Sequence, residues 1–383
     1  MANSLAGKEE SQTSGDRLIA AAIELFSEKW YGKVSVAEIC RRARLSNGLF
    51  YRYYRDKEEI FRKILELVIA RIAEAIAAVS GCCPEERLRS FAGIIFDFSK
   101  DNPAIVKVFR EGQYRLFEYE QRLKAVYDEG LEATLGWKPD LSTYLFALGG
   151  LRFAATRRAF HEIPVQFESL VSILNHGLYP DSSFDPDRVF SSSITPMPLE
   201  VLPDGRERML REGKSLIGRQ GFYETNIHEI TTAAGLSTGA FYTYFPSKEA
   251  FFEELIHRVG REVRHFITLN LGEGLNPLER ELRGLWLFIV FLSLDRHCYG
   301  IVREAEFILP QAVRAYYGAF VKGYRQRMSW AGGLDETTAI EFLLGAAHYL
   351  GIEVIFDKSP ESARNIIAEL GGFYRHGLLG PRG

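Results

Sequence analysis

Cysteine is scarce in this chain. Four thiols, Cys40, Cys82, Cys83 and Cys298, occur in 383 residues, and no two form a CxxC pair. A disulfide-stapled scaffold and a thiolate zinc site are thereby excluded. Cys40 and Cys298 fall inside apolar helical patterns, so the expected state is reduced, buried thiols, a redox sensor at adjacent Cys82 and Cys83 being the minor alternative. The eight histidines are scattered, without HxxxH spacing, so no metal and no cofactor is expected. An excess of one charge is also missing: the net charge is −3. Any nucleic-acid-binding surface must therefore be local. Long hydrophobic runs are absent too. The longest apolar stretch, Leu285 to Leu294, is too short and interrupted to span a bilayer, and the first sixteen residues have no apolar core of a signal peptide. A cytoplasmic protein with no membrane partner is expected. No nucleophile, base and orienting group suggest themselves as one set, so an enzyme is not expected and no catalytic residue is assigned. Period-two alternation is lacking as well, which argues against a sheet.

What the chain does have is helical periodicity and a repeat. Leu18, Ala22, Leu25 and Phe26 mark one helical face, and Ile60, Ile64, Leu67 and Val68 another. Residues 46–57 read SNGLFYRYYRDK and residues 237–248 read STGAFYTYFPSK, 191 positions apart. Arg17, Glu38, Ile39, Ala43, Leu45, Glu58 and Phe61 recur in the same register. Further on, Arg110-Glu111 returns as Arg303-Glu304, Trp137 as Trp330, and His176-Gly177-Leu178 as His376-Gly377-Leu378, small loop insertions explaining the drift. This predicts a disordered N-terminus over 1–14 and a first head over 15–62 with a helical body over 63–180. A linker over 181–204 precedes a second head over 205–253 and a second body over 254–383. Pro186, Pro196, Pro198, Pro203 and the serines 191–193 read as a linker that holds no helix. Fully extended, it spans roughly 80 Å.

The chemistry sits in the repeated segment. Ser35 and Glu38 have capping-box spacing, as do Asn226 and Glu229. Ser46 and Ser237 suit the N-cap of a short second helix. Two short helices joined by a tight turn are a helix-turn-helix, whose second helix fits the major groove. Phe50 shares a face with Tyr54, which leaves Tyr51 and Tyr53 for phosphates and base edges. Lys57, opening the next helix, suits a phosphate contact. The second copy places Phe241 and Phe245 inside, Tyr242 and Tyr244 outside, and Lys248 as the phosphate clamp.

At Leu49 to Phe61 and Ala240 to Phe252 the chain resembles the tetracycline-repressor (TetR) family, whose helix-turn-helix ends in an aromatic run such as LFYxYFxxKExLF. The likeness covers roughly the first 50 residues of each repeat. It implies an all-α protein with a three-helix head and a larger helical body in each repeat. The usual member is one such repeat paired with an identical copy. Here both lie in one polypeptide, an intramolecular pseudo-dimer. Position by position, the implied DNA contacts are Asn47, Gly48, Tyr51, Tyr53 and Lys57, then Thr238, Gly239, Tyr242, Tyr244 and Lys248. Ser35, Val36, Asn226 and Ile227 mark helix starts whose N–H groups can meet a phosphate. The resemblance also implies a four-helix interface from the last two helices of each half, Ala147 to Phe160 and Leu170 to Gly177 with Phe342 to Phe356 and Ile366 to Gly377. Arg157 aligns roughly with Glu353, an opposite charge that either favours unlike halves as a cross-pair or is simply a solvated face.

The heads differ. Residues 16–61 carry nine Lys/Arg against seven Asp/Glu, and residues 207–252 carry five against five. Arg41, Arg42, Arg44, Arg52 and Arg55 become Thr232, Ala233, Gly235, Thr243 and Pro246. Asn47 is able to read adenine with two hydrogen bonds, and Thr238 is not. The expected function is a transcriptional repressor that binds double-stranded operator DNA of asymmetric sequence and is released by a small apolar effector. Phe91, Ile95, Phe98, Trp286, Phe288 and Phe291 are the candidate effector pocket, though residues of this kind more often form core. Arg110-Glu111 and Arg303-Glu304 are expected as structural ion pairs near a hinge. The alternatives are an activator or corepressor-dependent regulator, or a ligand sensor or scaffold with one or both heads inactive for DNA. Association beyond the pseudo-dimer is left open.

Overall fold

The computed structural model describes residues 13–190, 193–197, 204–327, 333–356 and 360–380. Every regular element among them is helical. The chain divides into two compact units, residues up to 74 with 102–126, and residues 75–101 with 127–383.

The first unit holds the first head. Helix α1 (Ser14–Glu28) begins at Thr13, whose hydroxyl accepts from Asp16 N–H while the Asp16 carboxylate accepts from Thr13. The head therefore starts at Thr13, inside the stretch expected to be disordered; residues 1–12 lie outside the described residues. Leu18, Ala22, Leu25 and Phe26 are buried, as helical spacing predicts. Helices α2 (Val36–Ala43) and α3 (Asn47–Tyr53) complete the head, and α4 (Lys57–Ile76) leads out of it. The second unit takes up α5 (Pro84–Asp101), and α6 (Pro103–Arg115) returns to the first unit and packs on α1. Helix α7 (Phe117–Leu135) runs from the first unit into the second.

The second unit contains the rest. Helix α8 (Leu141–Tyr144) passes through a π-helical turn at Leu145–Gly149 into α9 (Gly150–His161), followed by α10 (Phe167–His176). The second head comprises α12 (Gly205–Gln220), α13 (Ile227–Ala233) and α14 (Thr238–Tyr244). Its body comprises α15 (Lys248–Asn270), α16 (Pro277–Leu294), α17 (His297–Ile308), α18 (Pro310–Arg327), α19 (Glu336–Phe356) and α20 (Pro360–His376). Between α10 and α12 lies α11 (Pro186–Phe190).

That short helix corrects the linker reading. Proline at its first position needs no N–H partner and starts a helix rather than preventing one. Val189 and Phe190 are buried; Phe190 meets the Trp286 ring edge-on at 5.6 Å, and Arg283 donates to Val189 O at 2.9 Å. Thr195 and Asn270 exchange backbone–amide hydrogen bonds at 2.6 and 3.1 Å. The connection is docked on the second body as far as it is described. Residues 191, 192 and 198–203 fall outside the described set, as does Trp330.

The two bodies meet as expected, α9 and α10 against α19 and α20. The contact is close to two-fold: Leu178 N–H donates to Tyr374 O at 2.7 Å and Leu378 N–H to Leu174 O at 2.8 Å. Glycines set the crossing of α9 and α19. A Cβ on Gly150 would lie 2.4 Å from the Phe342 ring, and one on Gly345 would lie 2.5 Å from Gly149 O. The π turn sits at this crossing. Within it Phe146 packs on Phe342, Phe373 and Tyr374 at 5.2–5.9 Å between centroids. The expected Arg157–Glu353 pair is replaced by another. Arg157 reaches one turn of α19 that faces it and makes a two-point ion pair with Glu341, at 2.9 and 3.2 Å, with both side chains buried.

Candidate nucleic-acid interface and effector cavity

Each head is built by its caps. Ser35 and Glu38 form the capping box, the Glu38 N–H donating to Ser35 Oγ at 3.2 Å and Ser35 N–H to the carboxylate at 2.9 Å. The Lys29 ammonium and then the Ser35 donors hold the Glu38 carboxyl down at about 2, so it is ionised at any working pH. Asn226 and Glu229 repeat the box at 2.9 and 2.8 Å. Ser46 caps α3 through Leu49 N–H, and Ser237 caps α14 through Ala240 N–H. Phe50 and Phe241 are fully buried and anchor the reading helices. Their neighbours point out: Tyr51 is 60% and Tyr242 59% exposed, Tyr53 47% and Tyr244 43%. Asn47, Gly48, Thr238 and Gly239 are exposed at the helix starts, as are Ser35 and Asn226, with Val36 and Ile227 half-buried. These residues thus come together on one end of each head.

Lys57 behaves differently from the expected free phosphate clamp. Its ammonium donates to Tyr31 O at 2.9 Å and Val34 O at 2.8 Å and lies 4.2 Å from the Tyr31 ring centroid. Burial pushes its pKa down. The lysine ties the turn after α1 to the start of α4, because those carbonyls have no helical partner there. Lys248 stands likewise 4.2 Å over Phe222. The basic surround also shrinks. Arg42 pairs with Glu24 and Glu28 on α1, and Arg55 with Asp56, which leaves Arg41, Arg44 and Arg52 as exposed cations beside α3. The second head has no cation at those positions, and His228 Nδ1 lies 3.3 Å from Thr238 Oγ1 at its reading helix, a contact that the sequence repeat did not signal.

The glutamate of each repeated Arg-Glu pair reaches its own head. Glu111 on α6 accepts from Tyr31 N–H at 2.8 Å, and Glu304 on α17 accepts from Phe222 N–H at 2.8 Å. The same carboxylate latch therefore holds each head to a helix of its own half. Arg303 turns the other way, to Glu306 at 3.0 Å and His348 Nε2 at 2.9 Å.

The second body encloses a cavity of about 390 Å³ between α15, α16, α17, α18 and α19. Val263, Leu285, Phe288, Val302 and Phe320 give it apolar walls. Of the six expected pocket residues, only Phe288 lines it. Phe291 packs behind on Phe266 at 5.6 Å, and Trp286 faces α11. Positions 281, 284, 285, 288 and 292 form the inward stripe of α16, so 286 and 291 lie on other faces. Phe91 and Ile95 are core of the first body, and Phe98 is half-buried on the same helix. Buried Glu281 accepts from Tyr324 Oη at 3.0 Å, and burial pushes its carboxyl up to about 7.

Cys40 and Cys298 are buried as expected, but Cys82 is exposed and Cys83 half-buried before α5. The Glu86 carboxylate beside Cys82 raises its thiol pKa, the opposite of thiolate activation. Cys82, Cys83 and Glu86 are near enough to share an ion, though Glu86 already accepts from Cys82 N–H at 2.8 Å. Among the described residues, no single helix is long and apolar enough to cross a membrane.

A capped reading helix with paired outward tyrosines, present twice on helical bodies, defines a helix-turn-helix regulator of transcription. The comparisons agree. The family model for bacterial regulatory proteins of the tetR family matches residues 18–64 and again 209–255. The chain therefore carries the DNA-binding segment of that family twice, in tandem. It is similar to the HTH-type transcriptional regulator YdgC of Bacillus subtilis (strain 168), 28% identical over 190 residues, which is 47% of this chain and 95% of YdgC. It is similar to the HTH-type transcriptional regulator BetI of Yersinia pestis (strain Pestoides F), 34% identical over 97 residues, 24% of this chain and 49% of BetI. That match spans about half of BetI. Among solved structures, a TetR-like transcriptional regulator from Rhodococcus sp. RHA1 is 21% identical, with 45% of this chain and 97% of that one covered and a TM-score of 0.39. The relatives are regulators of transcription, and this chain is a regulator rather than an enzyme.

Proposed function

We propose that this protein is a transcriptional repressor that reads an asymmetric operator through two unlike heads and leaves it when a small, largely apolar molecule fills the cavity of the second half. The observation that carries the reading is the pair of reading helices: the same outward tyrosines, set among Arg41, Arg44 and Arg52 in one head and Thr232, Gly235 and Thr243 in the other. Log affinity falls by about 0.9 per neutralised phosphate for each log of salt. The first head then supplies most of the electrostatic grip, and Asn47 adds adenine readout that Thr238 lacks. The outward residues Asn47, Gly48, Tyr51 and Tyr53, with Thr238, Gly239, Tyr242 and Tyr244, meet DNA. Lys57 and Lys248 act mainly by holding their helices in place.

Helix α17 supports the coupling to an effector. Val302 and Arg303 line the cavity, and the next residue, Glu304, latches the second head through Phe222 N–H. A ligand that moves α17 by a fraction of an ångström disturbs that hydrogen bond and shifts the head. Footprinting on the promoter regions nearest the gene provides the operator. Gel shifts then test the heads: Tyr51→Ala and Tyr242→Ala each weaken binding, at different half-sites. Replacing Arg41, Arg44 and Arg52 by Ala lowers the salt slope by about 2 to 3. Equal binding to perfect palindromes of either half-site would overturn the asymmetric reading.

A further inference from the structure

Resting on the effector reading above, we propose that the cavity of the second half takes an amphipathic organic anion, with its apolar part between α15, α16 and α18 and its charged head at Arg280, Arg327 and Arg264. The cavity lining is apolar along its length but far from neutral in charge. Four arginines, Arg264, Arg280, Arg303 and Arg327, face a single carboxylate, Glu281. Arg303 is already committed to Glu306. The other three have no carboxylate within ion-pair distance among the described residues. Arg280 donates only to backbone carbonyls, Arg327 O at 2.9 Å and Leu275 O at 3.4 Å. The Arg264 guanidinium lies over the Phe320 ring at 5.5 Å, half-buried, and burial lowers its pKa. Arg327 is exposed at the end of α18.

Guanidinium groups without counter-charges, two of the three partly desolvated, favour an anion over a neutral molecule and repel a cation. Arginine suits a carboxylate or phosphate head because its planar fork donates two hydrogen bonds at once. The cavity's one carboxylate opposes this weakly. Glu281 is fully enclosed with Tyr324, and near neutrality a large share of it is protonated. The shape fits the same class. Arg280 and Leu292 both line the cavity, and twelve residues of α16 span about 18 Å at 1.5 Å per residue. Arg280 and Arg327 lie at one end of that run, while Leu292, Cys298 and Val302 close the other. A head at the arginine end therefore sends its tail along the apolar wall towards α17, the helix that carries Glu304.

Isothermal titration of the full chain at pH 7.5 tests this with four probes of one tail, each below its micelle concentration: dodecanoate, dodecyl phosphate, 1-dodecanol and dodecyltrimethylammonium. At least one of the two anions is expected to bind tenfold or more tighter than the alcohol, and the cation more weakly than the alcohol. The tighter anion tells a carboxylate head from a phosphate head. In the variant with Arg280→Gln and Arg327→Gln, anion affinity falls at least tenfold while alcohol affinity stays within twofold, which also shows that the cavity is still folded. The proposal is overturned if the alcohol or the cation binds as tightly as both anions, or if the double variant keeps its anion affinity. Fluorescence anisotropy with operator DNA separates the two readings. Anion binding that leaves DNA affinity unchanged keeps this assignment and removes effector release. DNA release by the alcohol alone keeps effector release and removes this assignment.

Discussion

Gly48 and Gly239 occupy the second position of their reading helices, where glycine is a poor choice for the fold. In a helix it is less favourable than alanine by up to about 1 kcal/mol. Nothing inside the protein demands it. A Cβ on Gly48 would have no neighbour within 4 Å, and one on Gly239 would meet only Ser237 Oγ at 3.9 Å. The small side chain is instead useful to whatever approaches from outside, as a phosphate backbone does. Gly48→Ala and Gly239→Ala are therefore expected to raise thermal stability slightly, by less than about 1 kcal/mol each. They are expected to weaken operator binding about tenfold, as read by thermal denaturation and fluorescence anisotropy. Unchanged DNA affinity would show that the glycines do not serve close approach. Arg44 gives the contrast. It sits at φ 55° where its counterpart Gly235 sits at φ 68°, so the first head keeps a cation in a conformation that favours glycine.

Single elements explain which features could be read from the chain alone. Caps and apolar faces are local, so α1 to α3 and α12 to α14 follow from Ser35, Ser46, Asn226 and Ser237 with little change. The cavity was not legible. Periodicity marks α16 as apolar nearly all round, and only its packing against α15 and α18 decides that Phe288 faces in and Trp286 faces out. Glu111 and Glu304 were visible as a repeat, but their partners are backbone N–H groups 80 and 82 residues away, which side-chain patterns do not reveal. Glu281 on α16 yields a prediction at this scale. Its carboxyl is raised from 4.5 to about 7 by burial. Between those values the folded chain holds a proton that the unfolded chain has lost, so stability falls as pH rises across that window. Below it the group has no such effect, and above it the full penalty applies, on the order of 3 kcal/mol. Glu281→Gln keeps an acceptor for Tyr324 and cannot ionise. Its melting temperature is expected to exceed that of the parent chain at pH 8 and to match it near pH 4.5. A constant difference at both pH values would show that Glu281 does not titrate in this window.

For the second unit as a whole, the contact between the bodies chooses unlike partners. Gly149 and Gly345 meet at the crossing, so Leu145 on the first body is the counterpart of Glu341 on the second, and Glu353 the counterpart of Arg157. Two first bodies joined the same way would bury Arg157 against Leu145, and two second bodies would bury Glu341 against Glu353. Only the mixed pair places a carboxylate before the guanidinium, which also lies 5.2 Å from the centre of the Tyr317 ring and 5.9 Å from that of Phe153. A buried ion pair adds little net stability over an apolar pair of the same size, but removing one member leaves a charge stranded, at about 3 to 5 kcal/mol. Glu341→Leu and Arg157→Met are each expected to lower the urea midpoint strongly. The double variant is expected to recover most of the loss, giving a large favourable coupling in the double-mutant cycle. Tyr317 lines the cavity of the second body and touches both Phe153 and Arg157, so, on the proposed function, the double variant is also expected to bind an effector while passing less of its effect to the first body. Additive single losses would mean that the pair is not the determinant of unlike pairing, and the close glycine crossing alone would have to account for it.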